Sequence, residues 1–264
     1  VKARAEETNP RGQQYLDILI ENAKKAKENR IVICQDTGVP TFFVKTSLSF
    51  PFTGDIRAEF DGALRDLTKK EFPMLVHPLT RKDRGDNTAA NVPLIHVELD
   101  NSIDYMEIKA MPKGAGCGTW STLQIFPPHV GIEGVKKFVV DSVLRAGSNP
   151  CPPLIVGVGI GGPLEEVARL ATEATARPID QRHPEADIAQ LEEELRAALN
   201  MSQIGPMGMG GDTTALAVNI EYSGTHRPWM PVAVNINCWP GRKAVCRIYK
   251  DGTVKQMRKE DSHV

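Results

Sequence analysis

The run Leu154-Ile155-Val156-Gly157-Val158-Gly159-Ile160-Gly161-Gly162 limits the possible folds more than any other stretch of this chain. Residues 154–158 carry no polar side chain. They follow Pro152-Pro153, and after the glycines a helical pattern runs over Leu164–Ala176. A short apolar run bounded by turn signals reads as a buried strand, so the segment predicts a strand, a tight turn and a helix in succession. The glycines superficially look like a phosphate-binding loop. The spacing is not G-x-G-x-x-G, however, and no Lys-Ser or Lys-Thr pair follows. Two readings are left. Either the glycines bring backbone close to a bulky group, with the free amides opening the Leu164 helix facing an anion, or they serve tight packing alone.

The surrounding pattern fixes the class. Tyr15, Leu16, Leu19, Ala23 and Ala26 repeat at helical spacing over Gly12–Asn29, and lysines at positions 24, 25 and 27 suit the negative end of the helix dipole. Further helices are expected over Asp55–Lys70, over Gly131–Ala146 (Val135, Phe138, Val139, Ser142 and Val143 inward) and over Glu185–Leu199. Strands are expected at Ile31–Ile33, Thr41–Lys45, Leu94–Leu99, Tyr105–Ala110, Ala215–Glu221, Val232–Asn237 and Ala244–Tyr249, with a flexible loop over Pro112–Gly118. Helices and strands alternate without repeats, which predicts an α/β fold with a mixed sheet and packed helices. One domain over residues 1–250 is expected, with a polar tail over 251–264.

With 264 residues the chain can build a real core, and a net charge of −1 gives no reason to expect nucleic acid or an anionic membrane as partner. No apolar run is long enough to span a bilayer. The segment after Val1 lacks the apolar core of a signal peptide, so a cytoplasmic location is expected.

The five cysteines have no close neighbours in sequence, which favours buried thiols, metal ligands or catalysis over disulfides. Cys246 lies within strand-like Ala244–Tyr249 and reads as a core thiol. Cys34, Cys151 and Cys238 lie in loop-like settings, too far apart for a zinc finger or a C-x-x-C pair. They suit a site assembled in space from three loops. An iron–sulfur cluster held by three thiolates, with one iron left open, is one group such a site could carry; zinc is another. Asp36, two residues after Cys34, is either a base beside that site or a turn former.

The motifs around these cysteines carry a resemblance. Cys34-Gln35-Asp36-Thr37-Gly38, Asn149-Pro150-Cys151-Pro152-Pro153 with the glycine run, Gly210-Gly211-Asp212-Thr213-Thr214-Ala215-Leu216 and Pro231–Trp239 appear in order. Together they resemble the alpha subunit of class I iron–sulfur fumarate hydratases and L-tartrate dehydratases, from the first helix to about Arg242. The resemblance implies a 4Fe–4S cluster on Cys34, Cys151 and Cys238, substrate contact by Gln35, and a role for Asp36 in proton transfer. It also implies substrate binding by His226 and by backbone of the loop Lys113–Gly118, at Ala115 and Gly116. A separate beta subunit, supplying a second catalytic module and cationic carboxylate binders, is implied as partner, with dimers of alpha–beta pairs.

The implied reaction is reversible addition or removal of water on a small hydroxy-dicarboxylate. Fumarate and malate are the first expectation, L-tartrate the alternative, with mesaconate-type substrates also open. Departures from the family pattern leave room for a different class, a non-catalytic iron–sulfur scaffold or sensor. Ala115 replaces a glycine, Cys117 stands where tartrate dehydratases more often have cysteine, and Trp120 could reshape the pocket. The substrate arginine expected near Glu71–Pro73 is absent, with Arg81 or Arg84 as substitutes. Nothing after Arg242 is long enough to be the beta module, so the chain is expected to act as half of an enzyme.

Overall fold

The structure, a computed structural model, describes residues 1–69, 75–82 and 85–257. In chain order the elements are α1 (Lys2–Glu6), α2 (Pro10–Asn29), β1 (Val39–Thr46), α3 (Ile56–Thr68), β2 (Leu94–Leu99), β3 (Tyr105–Lys113) and α4 (Ala115–Gly118). They continue with β4 (Thr122–Phe126), α5 (Gly131–Ala146), β5 (Leu154–Ile160), α6 (Leu164–Ala174) and α7 (Ala186–Asn200). The last four are β6 (Ala215–Tyr222), β7 (Met230–Asn237), β8 (Ala244–Tyr249) and β9 (Val254–Met257).

The fold is α/β with two mixed sheets, and the chain divides into two compact units. The first unit joins Val1–Ile33 to Gly116–Gly241; the second joins Cys34–Ala115 to the chain from Arg242 onward. Each sheet collects strands from distant parts of the sequence, so one linear span cannot delimit either unit.

The first unit holds a four-stranded sheet in the order β4-β7-β5-β6, with β5 parallel to β6 and antiparallel to β7. Six of the seven residues of β5 are buried. Leu154, Val156 and Val158 pack with Val139 and Val143 of α5 and Leu195 and Leu199 of α7. By strand alternation Ile155, Gly157 and Gly159 face the opposite side, where α6 lies. A Cβ at Gly157 would come 2.1 Å from the carbonyl oxygen of Ala171, and one at Gly159 would come 2.2 Å from that of Val167. The bulky group that the glycines admit is therefore the backbone of α6, which settles the choice between the two readings of this run in favour of packing.

The second unit holds a five-stranded sheet, β2-β1-β3-β8-β9, in which only β1 and β2 run parallel. Asp55 caps α3 by accepting the amides of Arg57 and Ala58, and Phe60 of that helix meets Phe42 of β1 with ring centroids 4.3 Å apart. Val44, Phe60 and Met106 form the small core there, with Ile95, Ile108 and Ile248 partly buried against it.

Three local expectations change. Ile31–Ile33 forms no strand. Ile31 and Val32 are exposed, because α2 ends on Arg30 in the left-handed region and, among the described residues, no strand pairs with residues 31–33. The loop expected over Pro112–Gly118 is instead the end of β3 plus the single turn α4. The expected polar tail begins as a strand, since Val254–Met257 pairs with β8 from Ile248↔Val254 to Val245↔Met257.

Candidate metal and substrate site

Strand register decides which loops meet. In the first unit Ile155 pairs with Asn237, so the start of β5 and the end of β7 lie at one end of the sheet. Leu154 pairs with Ala215, which brings the start of β6 to the same end. β4 is antiparallel to β7 with Thr122 opposite Val234, so α4, just before β4, arrives there too. The chain enters this end at Cys151 and leaves it at Cys238. The amide of Trp239 donates to the carbonyl of Cys151 at 3.3 Å and clips the two cysteine segments together.

The Cys151 turn is built by α5 stopping at Gly147 (φ 55°). Cys151 itself takes φ 55°, unusual for a residue with a Cβ, and its amide donates to Ser148 O at 3.1 Å. Its side chain is exposed, whereas Cys238 is half-buried. Asn237 fixes Cys238: its Oδ1 accepts the Cys238 amide at 3.0 Å and lies 3.9 Å from the Cys238 sulfur. The thiol of Cys117 points at the same oxygen from 3.8 Å. Cys117 is 3% exposed and so lies inside the unit, while Trp120 is partly buried against the same core.

His226 belongs to the other end. It is exposed in the turn before β7, edge-on to Trp229, and β7 separates it from Cys238 by about 23 Å at the usual rise per residue. The glycine turn is its neighbour: Gly161 N donates to Pro231 O at 2.9 Å and Gly162 N to Gly224 O at 3.0 Å. These bonds occupy the amides of Gly161 and Gly162. The register thus brings Cys151 and Cys238 together and keeps His226 and the glycine turn away from them.

In the second unit Val39 pairs with Lys113, placing Gln35–Gly38 beside the exit of β3. Gly38 has φ 78°, and a Cβ there would come 3.0 Å from the Lys113 backbone. The Asp36 carboxylate spans this corner. One oxygen accepts the Gly38 amide at 2.9 Å, and the other accepts the Ala115 amide at 2.9 Å. Arg242 donates through Nη1 to the Asp36 carbonyl at 2.6 Å. Cys34 is half-buried, 3.7 Å from Oε1 of exposed Gln35. Asp36 therefore both shapes the turn and is held in a fixed pose by it.

Among the described residues, no group of three or more His, Cys, Asp and Glu side chains is placed to hold a metal ion. The donor set nonetheless suits an iron–sulfur group chemically: Cys34, Cys151 and Cys238 form no disulfide and have at least partial exposure, and thiolate is the ligand such clusters take. Gly116 is exposed next to the Cys151 turn, 3.7 Å (from a would-be Cβ) from Asn149 O. Glu71–Pro73 and Arg84 lie outside the described residues, and Arg81 is exposed with φ 57°. Asn237 and Arg242 do not stand out in the sequence. Asn237 directly precedes Cys238 in its motif, which is the available signal, whereas Arg242 has none beyond its charge. Among the described residues no helix is long and apolar enough to cross a membrane.

A family model described as Fumarate hydratase (Fumerase) matches residues 1–247. The chain is 41% identical over 257 residues to the putative L(+)-tartrate dehydratase subunit alpha of Methanocaldococcus jannaschii, covering 95% of this chain and 90% of that protein. It is 33% identical over 254 residues to the L(+)-tartrate dehydratase subunit alpha of Escherichia coli K12, covering 95% and 84%. A match over nearly the whole length, with the cysteine motifs in order, leaves one placement: the chain belongs to the fumarate hydratase (Fumerase) family of hydro-lyases.

Proposed function

We propose that this chain is the alpha subunit of a two-subunit hydro-lyase that removes water from a four-carbon hydroxy-dicarboxylate, with L-tartrate as the leading substrate. The observation that carries the reading is the register of β5 against β7, which sets Cys151 and Cys238 at one end of a rigid sheet and joins them through Trp239 N–H to Cys151 O. Two cysteines outside any disulfide and held in this way are what a cluster ligand pair requires, and the motif order supplies Cys34 as the third ligand. The names of the relatives, together with Cys117, favour tartrate over fumarate. Fumarate hydration stays as the second reading because the matching family model bears that description.

In this reading Cys34, Cys151 and Cys238 hold a 4Fe–4S cluster, which supplies a Lewis-acidic iron for the departing hydroxyl. The chain's own residues do the rest. Asp36, fixed by the Gly38 and Ala115 amides, is the group assigned to accept the carbon-bound proton. Each of its oxygens still has a lone pair after accepting one amide. Gln35 is exposed beside Cys34 and offers an amide to a substrate carboxylate; backbone at Ala115–Gly116 offers further contacts. His226, at the far end of β7 from Cys238, stays a proposed substrate contact through the resemblance alone. A beta subunit is proposed as the source of the remaining cationic binders, and the cytoplasm as the location.

The test is anaerobic reconstitution of the chain with iron and sulfide together with its beta partner, assayed on L-tartrate, malate, fumarate and citramalate. Dehydration of L-tartrate with the highest kcat/KM is expected, and Cys151→Ser should abolish cluster assembly and turnover together. No turnover of any of these dicarboxylates by the reconstituted pair would sink the enzyme reading. A preference for malate and fumarate would select the second reading.

A further inference from the structure

The Gly210–Thr214 motif has no task in the proposed reaction, yet it lies at the Cys151 end of the sheet. Its partner is Glu7, a carboxylate only 2% exposed near the start of the described chain. One Glu7 oxygen accepts the amide of Asp212 at 2.7 Å and that of Asn9 at 3.2 Å; the other accepts the amide of Thr213 at 2.9 Å. Asp212 answers by accepting the amide and hydroxyl of Thr8 at 2.8 and 2.6 Å, which hold its carboxyl below the usual carboxylate range. Gly211 leaves room for this arrangement, since a Cβ there would come 2.9 Å from the Glu7 carboxylate.

The loop so anchored reaches the cysteine turn directly. Gly205 N donates to Thr214 Oγ1 at 3.2 Å, and Gly210 N to Ile204 O at 2.9 Å, closing residues 204–214 into a compact loop. From that loop Met207 N donates at 2.8 Å to the carbonyl of Pro152, the residue after Cys151. Gly208 packs against Ser148, so tightly that a Cβ would come 2.1 Å from the Ser148 side chain. Ser148 in turn accepts the Cys151 amide. Glu7, the 204–214 loop and the Cys151 turn are thus one continuous chain of hydrogen bonds and close contacts within the first unit.

We propose that Glu7 is a positioning residue for Cys151: its buried carboxylate anchors the Gly210–Thr214 motif, and through Met207 and Gly208 the anchored loop holds the Cys151 turn in its ligand-presenting shape. The functional sense of the proposal rests on the assignment of Cys151 as a cluster ligand; the mechanical sense does not. A buried carboxylate accepting three amides is strongly coupled to its surroundings, so removing it leaves those amides unpaired and frees the loop.

Amide hydrogen exchange on the full chain without metal separates the possibilities. In Glu7→Ala, exchange at Met207 and Cys151 should rise roughly tenfold or more, while Val156 and Val218 of the sheet stay protected. Glu7→Gln, which keeps one accepting oxygen, should restore part of the protection. After iron–sulfide reconstitution, the same variants should lose iron to a chelator in the same order. Faster exchange confined to residues 1–13 and 210–213, with Met207 and Cys151 unchanged, would overturn the proposal and leave Glu7 as an anchor for α1 alone. If Glu7→Ala does not fold, Glu7→Gln and Asp212→Asn decide the matter by the same exchange readout. A wild-type chain that takes up no iron would refute the cluster assignment, whereas the exchange pattern would still judge the coupling.

Discussion

The two units solve the same problem differently. In the first, β5 is covered on one face by α5 and α7 and on the other by α6, and its core residues Val139, Val143, Leu154, Val156 and Val158 are inaccessible to solvent. In the second, the sheet has the small Val44–Phe60–Met106 core, and its edge strand β2 leaves Leu94, Val97 and Leu99 exposed. Site residues follow this contrast. Cys151 and Cys238 hang from the ends of strands locked in a close-packed sheet. Cys34, by contrast, sits on a bend held by Asp36 and Arg242. A two-sided core transmits small volume changes into the backbone; a one-cluster core with open edges absorbs them.

The sharpest way to break the comparison is one substitution made once in each unit. Gly157→Ala drives a methyl group into the Ala171 carbonyl, and α6 cannot retreat without losing its seat on β5. The expected cost is about 3 kcal/mol or more. Gly62→Ala, in α3 of the second unit, meets nothing within 4 Å. There the gain in helix propensity should stabilise by about 0.5–1 kcal/mol. Urea titration with a probe in each unit measures both. Equal and small effects would mean that α6 is not seated on the glycine face.

This contrast also explains what is legible in the sequence. The β5–α6 segment is readable because a doubly covered strand must be continuously apolar, and the long helices are readable because their inward residues recur at helical spacing. Ile31–Ile33 misleads for the same reason, since three apolar residues look like a strand whether or not a neighbour pairs with them. β4 is hidden: Thr122-Leu123-Gln124-Ile125-Phe126 is a short edge strand whose pairing with β7 comes from far along the chain. The cysteines proposed as ligands are legible through their motifs. The place of His226 at the other end of β7 from Cys238 is not, because a sequence distance of twelve residues says nothing about which end of a strand a residue occupies. Only register supplies that.

A medium-sized effect concerns the thiols themselves. With the metal-free chain and a limiting alkylating reagent at pH 8, Cys151 should react first, being exposed on its turn. Cys246 should lag by roughly tenfold, because burial, reinforced by Glu107, pushes its thiol above the usual value and leaves less thiolate. Cys117 should be slowest of all, since alkylation there requires the first unit's core to open. Peptide mass spectrometry gives the order directly. Rapid labelling of Cys117 would show that the first unit is the looser of the two, reversing the comparison.

The smallest effect belongs to the second unit's surface. Asp100 follows β2 and accepts the Ser102 amide at 2.9 Å and its hydroxyl; Lys45 lies 3.0 Å away. The Ser102 hydroxyl first, then the Ser102 amide and Lys45, hold the Asp100 carboxyl down at about 2. A carboxylate whose pKa is lowered by folding stabilises the folded state fully above its unfolded value near 4. That contribution is lost as pH falls from about 4 to about 2. Asp100→Asn should therefore melt slightly below wild type at pH 6, with the gap closing at pH 2–3. The site is solvent-exposed, so added salt should narrow the gap at pH 6 to the extent that Lys45 contributes. A gap that persists undiminished at pH 2 would assign the effect to the shape of the Asp100–Ser102 turn rather than to its charge.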